Sequence, residues 1–145
     1  MKKSDGKIRV TLDDGAFLPV RAHKTDAGLD LFSREDATIW GGMSHTFDTG
    51  VHLELPAGCY GKIESKSGLN VNAGIVSLGG VIDEGYTGSI CVKLYNMTGK
   101  SYRFHKGEKI AQLIIMPYIV EKGFDVVQEL EPTERGNNGF GSTGK

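Results

Sequence analysis

Glycine sets the first limit on what this chain can become. It occurs 21 times in 145 residues, about twice its ordinary share. Each glycine inside a helix costs about 1 kcal/mol relative to alanine. The longest stretch without one is residues 108–122, and that stretch carries Pro117 and several β-branched residues. A helical bundle is excluded by this spacing. Low-complexity disorder is excluded as well, because only 4 prolines accompany the glycines and 39% of the residues are apolar, enough for a core. The length fits a single domain over residues 1–145.

Between the glycines the chain alternates with period two. Val51, Leu53 and Leu55 alternate with His52 and Glu54. Ile90, Val92 and Leu94 alternate with Cys91, Lys93 and Tyr95, and Lys7 to Leu12 does the same. Half-buried antiparallel strands have this pattern. Residues 110–120 are almost continuously apolar, so they read as a central strand buried on both faces, with Gln112 conspicuous inside it. Residues 124–130 are a further strand candidate. Leu31, Phe32 and the region of Trp40 supply more core. Turn signals such as Asp14-Gly15, Gly41-Gly42 and Thr98-Gly99 separate the runs. The fold class is therefore all-β, a sandwich or barrel, with at most one short helix around residues 67–73, where alternation lapses.

Several functions are excluded by composition. The net charge is −1 with both signs interspersed, so no basic stripe addresses a nucleic-acid backbone. No apolar run approaches the ~20 residues of a membrane span, and the first residues lack the apolar stretch of a signal peptide. A cytoplasmic protein, or one nuclear by diffusion, is expected. Cys59 and Cys91 are too few for a disulfide framework or zinc ribbon, and read as reduced core thiols. His52-Leu53-Glu54 starts like a zinc deaminase signature but lacks its Pro-Cys-x-x-Cys, so His52 and Glu54 read as solvent-facing strand residues. His23, His45 and His105 read as surface residues.

The core is expected over about residues 7–130. From residue 131 onward the chain has one aromatic and no aliphatic side chain. It cannot bury a face, so it reads as an arm, about residues 131–145, that is mobile or orders on binding. Its Gly139 to Lys145 string formally matches two phosphate-loop patterns. Both need a strand before and a helix after, and that setting is missing. The chemistry survives without the setting. Successive glycine N–H groups make an anion nest, Ser142 and Thr143 add hydroxyls, and Arg135 adds a bidentate fork. Phe140 offers a face for a flat ring.

Two internal segments also carry chemistry. Gly79-Gly80-Val81-Ile82-Asp83-Glu84-Gly85-Tyr86-Thr87-Gly88 pairs glycines that admit a ligand to the backbone with a carboxylate, Asp83, suited to general-base work. Val81 and Ile82 are expected to anchor it in the core. Read alone, the segment is equally a hairpin with an acidic turn. Glu64-Ser65-Lys66-Ser67-Gly68-Leu69 gathers a cation, hydroxyls and a glycine N–H at a strand-to-helix junction, where phosphates bind. Read alone, it is equally an ordinary helix start.

Taken in order, five segments resemble the motifs of the trimeric dUTPase family. They are Ala27-Gly28-Leu29-Asp30-Leu31-Phe32-Ser33, Ser65-Lys66-Ser67-Gly68-Leu69, Gly80 to Gly88, Gly107-Glu108-Lys109-Ile110-Ala111-Gln112-Leu113, and Arg135 to Gly144. The resemblance implies a distorted jelly-roll β-barrel of the β-clip kind, assembled as a homotrimer with shared active sites. It implies hydrolysis of dUTP to dUMP and pyrophosphate, with Mg²⁺ on the triphosphate and no metal ligand from protein side chains. That activity limits uracil in DNA and supplies dUMP for dTTP synthesis. Asp83 matches the residue that activates the attacking water, and Asp30 a supporting carboxylate. Lys66, Ser67, Gly68 and Gln112 match phosphate positions. Gly80 and Val81 match the hairpin that reads uracil, and Tyr86 the ring under the deoxyribose. In the arm, Phe140 matches the cover over uracil, while Arg135, Gly141, Ser142 and Thr143 match phosphate contacts. A viral or phage source would place the protein in a host cell.

The match has departures. Lys66 stands where the family has arginine, and lysine lacks the planar fork. Ser65 replaces proline, Gly85 replaces a polar or acidic residue, and Asn137 and Asn138 are bulkier than the usual residues. Two alternatives remain on the same fold: a dCTP deaminase-like relative, and a non-catalytic nucleotide-sensing module. Tyr86 with the complete arm motif opposes the first, and Asp83 with Phe140 opposes the second.

Overall fold

A computed structural model describes residues 6–139. In chain order its elements are β1 (Arg9–Leu12), β2 (Gly28–Phe32), β3 (Ala37–Ile39), β4 (Ser44–Asp48), β5 (Val51–Glu54), β6 (Cys59–Glu64), α1 (Ser67–Ala73), β7 (Ile75–Ser77), β8 (Val81–Ile82), β9 (Cys91–Asn96), β10 (Tyr102–Phe104) and β11 (Lys109–Pro117). The all-β expectation holds, with a single short helix where alternation lapses. No helix among the described residues is long and apolar enough to cross a membrane.

The strands form two larger sheets, β2-β11-β6-β8 and β4-β9-β7, flanked by the pairs β1-β5 and β10-β3. All pairings are antiparallel. In β9 the alternation works as read: Val92, Leu94 and Asn96 are buried while Cys91 and Lys93 are exposed. Phe47 of β4 and Phe104 of β10 meet edge to face at 5.3 Å between ring centres. Each such buried side chain contributes roughly 1.5–3 kcal/mol. The buried polar residue Asn96 is fully paired. Its amide donates to the Ile39 and Lys100 carbonyls, and its oxygen accepts from the Thr98 N–H and hydroxyl. A half-paired amide in this core would be costly; this one fixes the turn after β9.

β11 is the central strand of its sheet, paired with β2 on one side and β6 on the other. It stops at Pro117, and the residues beyond it are exposed: Ile119 is 92% accessible and Phe124 89%. The strand expected over residues 124–130 does not form. Among the described residues no neighbouring strand accompanies it, and a single extended segment has nothing to pair its backbone groups. Three other expectations are corrected. Trp40 is exposed, and the buried residue there is Ile39. Val81 is exposed, so Ile82, packed on the core, is the only anchor of its pair. Neither cysteine is a core thiol: Cys59 is half-buried and Cys91 exposed.

Candidate active site

The site is built by one sheet. Its strand order brings the motif segments together in the sequence first, fourth, second, third. Asp30 of β2 lies opposite Gln112 of β11, which in turn lies opposite Glu64 at the end of β6. Lys66 lies two residues past β6, after Ser65. On the far side of β6, β8 pairs Val81 with Lys62 and Ile82 with Gly61.

Asp30 is almost fully buried. One carboxylate oxygen pairs with Lys66, and the other lies 2.8 Å from Lys109 Nζ. Burial disfavours the charged carboxylate, but the hydrogen bonds and charges of Lys109 and Lys66 outweigh it and hold Asp30 below the usual carboxylate range. Lys66 is thus fixed by a carboxylate across the sheet at the entrance to α1. Ser67 and Gly68 follow it in the first turn, both exposed. Gln112 donates an amide hydrogen to the Ser65 carbonyl at 3.0 Å. It lies over Gly28, where any Cβ would collide with its side chain, so this glycine of the first motif makes room for a residue of the fourth.

Beside this cluster is an open pocket of about 300 Å³ lined by Lys62, Ile63, Glu64, Ser65, Ser77, Gly79, Gly80 and Val81. Ser65 shapes it: its hydroxyl oxygen accepts the Ser77 N–H at 2.9 Å and lies 3.2 Å from the Ser77 hydroxyl. The Gly80 carbonyl accepts the Ile63 N–H at 3.0 Å. Two glycines and two serine hydroxyls thus share the wall with Lys62, Ile63, Glu64 and Val81.

Past β8 the chain turns, with the Tyr86 N–H donating to the Asp83 carbonyl at 3.0 Å. Asp83 is exposed. The Tyr86 hydroxyl donates to the Ser89 carbonyl at 3.0 Å. Its ring lies over Gly88, where a Cβ would come within 2.6 Å of the ring carbon Cζ. Arg135 is exposed and makes a local hydrogen bond to the Asn138 carbonyl. Phe140, Gly141, Ser142 and Thr143 lie outside the described residues.

Sequence reasoning overlooked the contacts of Lys109 with Asp30, of Ser77 with Ser65, and of the Tyr118 hydroxyl with Glu84. Lys109 lay inside the fourth motif, where a cation opening an apolar strand was the available signal. Ser77 and the pair Glu84–Tyr118 had no signal, because their partners are distant in sequence. His52 also differs from its expected role: half-buried, it contacts Thr87 and Asp13.

Four motif-bearing segments on one sheet, with an open pocket lined by residues of the second and third, define an all-β protein with a candidate site on that sheet. The family model described as dUTPase matches residues 14–144, and the chain belongs to that family. It is 43% identical over 141 residues to the deoxyuridine 5'-triphosphate nucleotidohydrolase of Clostridium tetani, covering 96% of each chain. Its fold matches the dUTPase of Staphylococcus bacteriophage 80alpha solved with dUpNHpp at a TM-score of 0.89, with 32% identity, over 97% of this chain and 99% of that one. A mutant dUTPase of S. aureus phage phi11, described with a structural Mg(II) ion, matches at a TM-score of 0.78 and 29% identity, over 86% of this chain and 99% of that one.

Proposed function

We propose that this protein is a dUTP nucleotidohydrolase, cleaving dUTP to dUMP and pyrophosphate. The single observation that supports it is the sheet order β2-β11-β6-β8, which sets Asp30, Lys66 and Gln112 beside one another and leads the chain into the Asp83 loop on the far side of β6. Uracil enters the pocket between Ser77 and Val81 and is read by backbone groups. Tyr86 packs under the deoxyribose and leaves no room for a 2′-hydroxyl. Lys66, Ser67, the Gly68 N–H and Gln112 face the phosphates.

Asp83 orients a water and takes its proton as the water oxygen bonds to the α-phosphorus. The bond from that phosphorus to the bridging oxygen breaks, and pyrophosphate leaves. Positioning and charge neutralisation do most of the work in such a reaction. Among the described residues no three His, Cys, Asp or Glu side chains converge on a metal position. The side chains at the phosphates are donors, and the buried carboxylate is occupied by two lysines. Magnesium takes oxygen ligands and commonly draws them from substrate phosphates, so it fits here as part of a Mg–dUTP substrate. Bound there, it neutralises phosphate charge.

The arm from residue 131 closes over the site, bringing Arg135, Gly141, Ser142 and Thr143 to the phosphates and Phe140 over the base. Closure of this kind excludes water. The exposed apolar residues Ile119, Phe124, Val126 and Leu130 support a trimer in which residues 118–130 pack on a neighbouring copy. Scattering-based mass measurement tests the trimer.

The activity is tested by incubating the protein and Mg²⁺ with dUTP, dCTP, dTTP or UTP and measuring pyrophosphate. Release confined to dUTP is expected. Comparable release from dCTP or dTTP overturns the specificity, and deamination of dCTP favours the alternative relative.

A further inference from the structure

His52 belongs to none of the motif segments, yet it touches the loop that carries Asp83 and Tyr86. It projects from β5, with its side chain mostly covered. Its Nδ1 lies 2.8 Å from the Thr87 carbonyl, and its Nε2 lies 3.1 Å from an Asp13 carboxylate oxygen. Both partners are acceptors only. A neutral imidazole has one N–H, so it satisfies one partner and turns a lone pair on the other. The imidazolium satisfies both.

The surroundings hold the ring in place. Arg34 bridges the other Asp13 oxygen, at 3.2 Å, and Asp48, at 2.9 Å. Asp48 in turn accepts the Ser89 hydroxyl and the Gly50 N–H. Ser89 supplies the carbonyl that receives the Tyr86 hydroxyl. Two routes therefore run from one charged group into the loop, His52 to Thr87 and Asp48 to Ser89, and they grip it on both sides of Gly88. On the strand itself Glu54 is engaged by Arg9 of β1 at 2.9 Å, so the charges facing the ring are Asp13, Asp48 and Arg34.

We infer that His52, as an imidazolium held between Asp13 and the Thr87 carbonyl, is a positioning residue that sets the Tyr86 ring for the deoxyribose. The inference rests on the dUTPase reading. His52 touches no reacting atom and acts through the loop, so its loss falls on KM more than on kcat. The Thr87 carbonyl, opposed by partial burial and aided by Asp13 and Asp48, raises the pKa of His52 above its ordinary value. The sign follows. Below the ordinary value of about 6.5 the ring is fully charged, and the grip is complete. As pH climbs through the raised value the second N–H is lost, and the grip loosens.

The test is KM and kcat for Mg–dUTP, from about pH 5.5 to about pH 8.5, for the wild-type protein, His52→Asn and His52→Phe. Asparagine keeps an uncharged N–H for Thr87, whereas phenylalanine keeps a ring and no donor. His52→Phe is expected to raise KM about five-fold at low pH with kcat little changed. The ratio of wild-type KM to His52→Asn KM is expected to rise with pH, and this ratio removes the titration of the nucleotide itself. Should His52→Phe not fold, that ratio still decides. A ratio independent of pH, or an unchanged KM in folded His52→Phe, overturns the inference while wild-type dUTP hydrolysis leaves the proposed function standing. Absence of wild-type hydrolysis overturns both.

Discussion

The Tyr118 hydroxyl donates to the Glu84 carboxylate at 2.6 Å, joining the chain just past the last strand to the neighbour of Asp83. The same carboxylate accepts the Gly58 N–H at 2.8 Å. Three segments distant in sequence thus meet on one side chain. Tyr118 first, then Gly58, hold Glu84 below the usual carboxylate range, and the same contact pushes the Tyr118 hydroxyl up.

Tyr118→Phe is therefore expected to leave the fold intact and to lower kcat/KM for dUTP about two- to five-fold, through a looser Asp83 loop. Because Glu84 is depressed when folded, the contact is present above its ordinary pKa and is lost as pH falls below about 4. Melting curves of wild type and Tyr118→Phe should differ at neutral pH and converge in acid. A constant difference across that range removes Glu84 as the partner.

Asp30 makes a second prediction. It is buried and held by two lysines, so removing both cations leaves an uncompensated charge. Lys66→Met with Lys109→Met is expected to cost about 3 kcal/mol in denaturant unfolding, and each single change less, because the remaining lysine still pairs. Adding Asp30→Asn to the double variant should restore much of the loss. Asp30 has a depressed pKa, so its contribution is present above about pH 4 and lost below it. Wild type and double variant should approach one another in acid, and equal stability at neutral pH would refute the pairing.

What was legible in the sequence was local. Period-two runs marked β5 and β9, the lapse in alternation marked α1, and the apolar run marked β11. The motif glycines were legible as well. Turn glycines such as Gly15, Gly42 and Gly58 have positive φ, but Gly28, Gly68, Gly80, Gly85 and Gly88 do not. Two of these are crowded by Gln112 and Tyr86, while Gly68, Gly80 and Gly85 have no protein atom near a Cβ. At those three no contact among the described residues requires glycine, and the same holds at turn glycines such as Gly99. The misreadings were of pairing and side. Residues 124–130 have strand character without a partner among the described residues, and apolar Trp40 and Val81 lie on the outer face. Hydropathy does not tell inner from outer where two apolar residues are adjacent, as in Ile39-Trp40 and Val81-Ile82, because in a strand only one of the two can face the core. Lys109, Glu84 and His52 act through partners that only the sheet order brings near.

The arm is open to a direct test. Among the described residues Arg135 bonds to Asn138 alone, and the residues just before it are exposed. Deleting residues 135–145 should therefore leave the melting temperature nearly unchanged. Hydrolysis should fall at least about 100-fold, as expected when phosphate donors and closure are lost together. A truncated protein that fails to fold makes the arm structural, and full activity makes it dispensable.

In the proposed reaction Asp83 is the general base, and its replacement is expected to separate binding from turnover. Asp83 is exposed just past β8, and its carbonyl holds the turn through the Tyr86 N–H. That backbone contact survives Asp83→Asn, so the loop and the Tyr86 face persist. What is lost is the acceptor for the water's proton, because an amide cannot take it. General-base removal costs about 10²- to 10⁴-fold, so kcat should fall by that factor while the affinity for dUpNHpp stays within about three-fold. Calorimetric titration with the analogue and steady-state pyrophosphate release measure the two quantities independently. A fall in both together would assign Asp83 to loop structure, and undiminished turnover would remove it from the reaction.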